Sequence, residues 1–146
     1  MTKNEILQGR IIELSNSTDW NSSKDEWTLS EIYFQENSKC LCTHSPITEC
    51  CILINKVNHN KAVVGNCCVK KFWNFNTTTF DAAKRIRQNK AKAANEELIE
   101  MAYLNSWITA WEGSFYSDTF RKRKLSPKQK EVRERINEKI LKHLNK

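Results

Sequence analysis

Glycine and proline are scarce in this chain of 146 residues, which has three glycines and two prolines. Neither a Walker loop nor a GxGxxG motif is present, so the sequence offers no glycine-rich loop for a nucleotide phosphate. No stretch approaches the ~20 apolar residues of a membrane span. The N-terminal segment MTKNEILQGRIIEL alternates charged and apolar residues and lacks a signal-peptide core. These absences predict a cytoplasmic protein that does not enter a membrane.

Histidine is also scarce, with three residues, and no Ser/His/Asp triad of a hydrolase is visible. Cysteine, by contrast, is concentrated: all six cysteines lie between Cys40 and Cys68. A secreted disulfide scaffold would spread its bridges along the chain, whereas a local cluster in a reducing cytosol favours a metal site. The alternative is that these cysteines are small buried apolar side chains.

The first half of the chain predicts a small β structure after a short amphipathic helix. The predicted segments are a helix at 3–14, a polar loop at 15–26, and strands at 27–34, 50–55 and 62–65. The last two strands form a predicted hairpin. A turn centred on residues 58–59 would place Cys50 opposite Cys67 and Cys51 opposite Asn66.

The second half predicts helices. Apolar residues at helical spacing predict a helix from about 81 to 112, with Thr79 or Asp81 as its N-cap and Gly113 as its end. The aromatic side chains at helical spacing in and after this segment are predicted to lie in the core; they are Trp107, Trp111, Phe115 and Phe120. A last helix is predicted to begin with Ser126 as N-cap, Pro127 in its first turn and Gln129 closing a capping box.

Residues 40–44 read CLCTH and place three metal-binding side chains at alternate positions, Cys40, Cys42 and His44. In an extended strand these side chains would point to the same side. Zn²⁺ takes four ligands in tetrahedral geometry, from thiolate sulfur and imidazole nitrogen. The remaining ligand would come from the hairpin, where the candidates are Cys50, Cys51, Cys67 and Cys68. A structural zinc is expected, because a β unit of this size buries little apolar surface and bound zinc supplies folding free energy.

The segment from Cys40 to Phe72 resembles a small zinc-binding module of phage and mobile-element proteins. The resemblance is carried by Cys40, Cys42, His44, Asn55, Asn60, Val64, Gly65, Cys68, Val69 and Phe72. It implies that Cys68, in the Gly-x-x-Cys position, is the ligand rather than Cys67. The sequence departs from the pattern of this module at two positions. Thr43 stands where the pattern often has glycine, and Ser45 is inserted before the Pro-Ile pair. A basic helical tail with a tryptophan-containing helix adds to the resemblance.

The excess of positive charge lies entirely in the second part of the chain. Residues 1–80 contain eight Lys or Arg and eight Asp or Glu, so the net charge of +7 comes from residues 81–146. Two clusters within this part predict contacts with nucleic-acid phosphates; they are Lys84, Arg85 and Arg87, and Arg121, Lys122, Arg123 and Lys124. The alternative is that such runs are only the solvated faces of helices.

Together these patterns predict a single α+β domain, 1–146, in which a zinc-stapled β-hairpin unit (27–75) packs against a basic helical region (80–146). The predicted function is non-enzymatic: a zinc-binding protein that contacts DNA or RNA through its basic helices. A protein–protein interaction module, for instance an inhibitor of a host enzyme or defence system, is the alternative. A metal-dependent nuclease is a third hypothesis, suggested by the NHN sequence at 58–60, which more simply predicts a turn.

Overall fold

The computed structural model describes residues 1–73, 75 and 78–145. It combines helices with a three-stranded antiparallel sheet, which confirms the predicted α+β class. The chain divides into two compact units, Met1–Thr77, the sheet unit, and Thr78–Lys146, the helical unit. That both units form one domain stays a prediction. In the described part of the chain no helix is both long enough and apolar enough to cross a membrane.

The sheet unit contains three antiparallel strands in the order β1-β2-β3. Its elements are α1 (Lys3–Glu13), α2 (Trp20–Lys24), β1 (Trp27–Ser38), β2 (Ile47–Asn55), β3 (Lys61–Gly65) and α3 (Asn66–Phe72). The predicted first helix and three strands are confirmed. The predicted loop at 15–26 is partly wrong, because Asp19 accepts a hydrogen bond from the N–H of Ser22 and thereby caps the short helix α2.

Completely buried apolar side chains come from α1 and from every strand of the sheet unit. They include Leu7, Ile11, Ile32, Leu53 and Val64. Neighbouring residues are buried in β1 (Ile32, Tyr33 and Phe34) and in β2 (Cys50 and Cys51), so side chains on both faces of the sheet are buried near its centre.

The hairpin of β2 and β3 has a different pairing from the predicted one. The observed pairs are Cys50 with Gly65 and Cys51 with Val64. The predicted pairs with Cys67 and Asn66 are therefore wrong by two positions. The Oδ1 atom of Asn55 accepts hydrogen bonds from the N–H groups of Val57 and Asn58, at 2.8 and 3.2 Å, so the turn starts earlier than predicted. As a result β3 ends at Gly65, and both later cysteines lie in α3.

A buried carboxylate connects this turn to the segment before β1. Glu26 is 8% exposed and accepts hydrogen bonds from the N–H groups of Asn16 and Ser17, at 2.8 Å each. The side-chain amide of Asn55 donates a third hydrogen bond at 3.0 Å. Hydrogen bonds from Ser17, Asn16 and Asn55 lower the pKa of Glu26 to about 2. The side chain is therefore an ionised link between two loops.

The helical unit consists of α4 (Thr78–Gln88), α5 (Glu96–Leu104), α6 (Ala110–Thr119) and α7 (Pro127–Leu144). The predicted continuous helix from 81 to 112 is wrong, because polar side chains interrupt it twice. Asn95 accepts a hydrogen bond from the N–H of Leu98 and caps α5, and Thr109 forms a capping box with Glu112 at the start of α6. Local hydrogen bonds of this kind compete with a continuous helix.

The two predicted ends of that helix are wrong as well. Thr79 and Asp81 lie inside α4, and Gly113 lies inside α6. A Cβ atom at Gly113 would lie 3.4 Å from the ring of Tyr103, at van der Waals contact. Gly113 therefore lies inside α6, facing Tyr103 of α5, and it does not end a helix.

The last helix begins as predicted. Ser126 and Gln129 form the reciprocal hydrogen bonds of a capping box, and Pro127 occupies the first turn of α7. From this helix, Asn137 accepts a hydrogen bond from the hydroxyl of Tyr116 at 2.6 Å. Its amide donates to the carbonyl groups of residues 90 and 92, at 2.8 Å each. A buried polar network therefore connects α6, α7 and the segment between α4 and α5.

Candidate metal centre

The connection between β1 and β2 folds into a compact loop that carries Cys40 and Cys42. The N–H of Cys40 donates to the carbonyl of His44 at 3.0 Å, and the N–H of Thr43 donates to the carbonyl of Cys40 at 2.9 Å. Thr43 has a φ angle of 79°, in the left-handed region that favours glycine. Thr43 is therefore a β-branched residue in a strained backbone position.

A second backbone contact fixes this loop against the sheet. The N–H of Leu41 donates to the carbonyl of Val63 in β3 at 3.1 Å. The guanidinium of Arg10 in α1 donates to the carbonyl of Leu41 at 2.8 Å. Since α3 directly follows β3, the same strand also positions Cys68 near the loop.

Three sulfur atoms meet at this point, from Cys40, Cys42 and Cys68. The Sγ–Sγ distances are 3.6 Å between Cys40 and Cys68 and 3.7 Å between Cys42 and Cys68. All three atoms lie within 4.8 Å of one another, so these residues can hold a metal ion. A tetrahedron with metal–sulfur bonds of about 2.3 Å has edges of about 3.8 Å, which matches the separations of Cys68 from Cys40 and from Cys42.

Backbone N–H groups surround the sulfur atoms. Gly65 donates to the Sγ of Cys40 at 3.2 Å, and His44 donates to the Sγ of Cys42 at 3.4 Å. The hydrogen bond between the Cys40 and Cys68 sulfur atoms, assisted by backbone N–H groups, lowers the pKa of Cys40 to about 5. The same hydrogen bond, together with burial, raises the pKa of Cys68. Cys40 is therefore ready to act as a thiolate ligand, the form that a metal requires.

The predicted fourth ligand, His44, is exposed at the edge of this cluster. Its Nδ1 atom lies 3.1 Å from the ammonium nitrogen of Lys3, and its imidazole is not part of the three-residue sulfur group. His44 nevertheless lines the same open cleft, of about 530 Å³, as the three cysteines. Its role as a metal ligand stays a prediction.

The other three cysteines lie outside the sulfur group in the described part of the chain. Cys50 and Cys51 are buried in β2, and Cys67 is exposed beside Cys68. Burial raises the pKa of Cys51 to about 12, which keeps it a neutral thiol. Four cysteines were candidates for the remaining sulfur ligand. In the structure, Cys68 is the one whose sulfur lies beside those of Cys40 and Cys42.

Every side chain predicted to contact nucleic acid is exposed. Lys84, Arg85 and Arg87 lie on α4, and Arg121, Lys122, Arg123 and Lys124 lie between α6 and α7. All three basic residues of α4 have interaction partners, and so does Arg121. Arg85 donates to the carbonyl of Ala93 at 3.0 Å, and Arg121 lies 3.8 Å from Glu96. An exposed ion pair at that distance contributes little to stability, so it does little to hold Arg121 in place.

The aromatic side chains predicted for the core divide into two groups. Trp107 is buried, at 7% exposure, whereas Trp111 is 61% exposed. The indole of Trp111 stacks on the half-buried ring of Phe115, with 5.4 Å between ring centroids. The prediction is therefore wrong for Trp111. Helical spacing places it on one side of α6 but does not tell whether that side is covered.

No family model, curated protein or solved structure matches the chain. The resemblance to a zinc-binding module of phage and mobile-element proteins therefore stays a prediction. The evidence for a functional site is the geometry of the sulfur cluster itself.

Proposed function

We propose that the protein binds one structural Zn²⁺ ion through Cys40, Cys42 and Cys68, with His44 as the fourth ligand. The observation that carries this proposal is the pair of Sγ–Sγ separations, 3.6 and 3.7 Å, in a group of three thiols. Thiolate sulfur is a soft ligand, and a tetrahedral sulfur-rich site is typical of zinc or of iron–sulfur centres. One imidazole within two positions of Cys42 favours zinc.

A structural role for the metal is supported by where its ligands lie. Cys40 and Cys68 are separated by 28 positions, and the ion would join the loop before β2 to the helix after β3. Cys40 and Cys42 are 2% and 3% exposed, so their sulfur atoms belong to the core of the sheet unit. A metal in this position stabilises the fold directly.

The helical unit supplies the second part of the proposal, which is contact with nucleic acid. Seven exposed basic side chains from two segments support it. Lys and Arg side chains that neutralise phosphates release counterions, so the resulting affinity falls steeply as salt rises. Such contact is mainly independent of sequence, because phosphate contacts carry no base information.

The test is binding of labelled DNA and RNA of random sequence across a salt series. We expect the double variant Lys122→Gln with Lys124→Gln to bind more weakly and to reduce the slope of log K against log salt by about two. The matched control is Lys56→Gln with Lys61→Gln, which removes two exposed lysines from the hairpin of the sheet unit. Absence of binding at low salt, or an equal loss in the control, would contradict the proposal.

A protein partner is a second candidate, favoured by the exposed indole of Trp111. Tryptophan is enriched among residues that dominate binding energy at interfaces. Metal-dependent cleavage is disfavoured because His59, in the NHN segment, lies in the hairpin turn with a φ angle of 63°. Cleavage of the labelled probes only after addition of Mg²⁺ or Mn²⁺ would support a nuclease instead.

A further inference from the structure

The helical unit contains an open cleft of about 800 Å³ that the metal centre and the basic clusters do not use. It is lined by the end of α5, the segment leading to α6, and the end of α7. Trp107 and Ile108 contribute buried side chains to it, at 7% and 5% exposure. Its volume is within the range of about 300–1,000 Å³ that is typical of ligand sites.

Aromatic and apolar side chains are unusually exposed around this cleft. Among the described residues five large apolar side chains are exposed, and two of them, Tyr103 (50%) and Leu104 (69%), line the cleft. The imidazole of His143 lies parallel to the Trp107 indole, at an interplanar angle of 5° with 5.4 Å between ring centroids. The cleft therefore offers flat ring surfaces at positions where solvent can reach them.

The charge of the cleft is positive. Its one acidic lining residue, Glu112, accepts hydrogen bonds from the ammonium of Lys139 at 2.7 Å and from the N–H of Thr109 at 2.8 Å. Burial opposes ionisation of Glu112, but these hydrogen bonds outweigh it and lower its pKa. The Glu112–Lys139 pair is therefore neutral overall. Lys142 is exposed and makes no hydrogen bond or ion pair with a described residue, so one positive charge remains for a ligand.

From this combination we infer that the cleft binds an unpaired nucleotide of a single-stranded nucleic acid, with the base on the ring surfaces and the phosphate at Lys142. Base–aromatic stacking next to a positive charge is the usual mode of single-strand binding. A duplex keeps its bases stacked inside the helix, so its base faces are not available to Tyr103 or His143. The inference rests on the proposed nucleic-acid function and adds to it a preference for single strands.

The test compares labelled oligo(dT) with a duplex of the same length, using the full-length, metal-loaded protein at one ionic strength. The cleft variant is Tyr103→Leu with Lys142→Gln. Leucine preserves an apolar side chain but removes the ring, and thermal melting checks that the fold is retained. The matched control is Val57→Ala with Lys56→Gln, which alters an exposed apolar residue and an exposed lysine in the other unit.

We expect the cleft variant to lose between about fivefold and a hundredfold in affinity for oligo(dT), the range for one stacked base. Its affinity for the duplex should fall only by the effect of one charge, and the control should behave like the wild type. Equal losses for single strand and duplex, or no loss, would overturn the inference and leave the proposed function standing. Binding of neither probe by the wild-type protein would overturn both. If a glutamate-rich peptide binds more tightly than oligo(dT), and the cleft variant weakens that binding, the inference is overturned. The ligand of the cleft would then be an acidic protein segment.

Discussion

Replacing Cys68 with serine is expected to abolish stoichiometric metal binding, whereas replacing its neighbour Cys67 with serine is expected to preserve it. The two cysteines differ by one position in α3, but only Cys68 has its sulfur 3.6 and 3.7 Å from those of Cys40 and Cys42. Cys67 is exposed. The pair of variants therefore tests the geometry of the cluster, with the same chemical change at both positions.

The size of the effect follows from the fit of the ion. The two Sγ–Sγ separations are within about 0.2 Å of a tetrahedral edge, so the ion can bind with little movement of the backbone. At a free metal concentration about a thousand times the dissociation constant, binding stabilises the folded state by about 4 kcal/mol. For a unit of the size of residues 1–77 this raises the melting temperature by roughly 15–30 °C.

The assay combines the metal content of the purified protein with differential scanning calorimetry, with and without a chelator. Wild type and Cys67→Ser should contain one zinc per chain and should lose thermal stability when chelated. Cys68→Ser should melt like the chelated wild type whether or not a chelator is added. A metal-free wild type, or a Cys68→Ser protein that retains zinc and melts normally, would refute the reasoning.

Three further changes test other parts of the structure. Thr43→Gly should retain zinc and raise the melting temperature, because it relieves a positive φ angle; a lower melting temperature would contradict this. Tyr116→Phe should destabilise the protein by about 1–3 kcal/mol in urea unfolding, because the N–H of Ala94 and the side-chain oxygen of Asn137 lose a buried partner. An unchanged unfolding midpoint would show that the network is dispensable. Glu26→Gln should be less stable than wild type at neutral pH. Because folding lowers the pKa of Glu26, the wild type should lose this advantage as the pH falls from about 4.5 towards 2. A difference in stability that does not change with pH would exclude the carboxylate as the cause.

The parts of the fold that the sequence predicted correctly are those with strong local signals. The start of α7 is an example, because Ser126, Pro127 and Gln129 occupy adjacent positions with fixed roles in a capping box. The grouping of Cys40 and Cys42 is another, because their spacing places both on one short loop. The choice of Cys68 as the third sulfur came from the resemblance to a zinc-binding module, because spacing and the predicted hairpin left four cysteines open.

The errors share a different physical cause, which is that one side chain has several possible partners. Asn95 can occur inside a helix, but in the structure it caps α5 and interrupts the predicted long helix. Gly113 is compatible with a helix end, but it lies inside α6. Trp111 has the spacing of a core residue and faces solvent. Periodicity contains neither the local hydrogen bond that caps a helix nor the side of a helix that other elements cover.

The separation of the sulfur ligands also has a consequence for synthesis of the protein. Cys40 and Cys42 leave the ribosome ahead of Cys68, which follows Cys40 by 28 positions. At about 5–20 residues per second, the first two thiols wait roughly one to six seconds for the third. During most of that interval the loop also lacks β3, because Val63, which accepts a hydrogen bond from Leu41, emerges only shortly before Cys68. The proposed zinc ion can therefore bind all three sulfur atoms only after β3 and the start of α3 have been made, and until then the two earlier thiols have no third sulfur beside them.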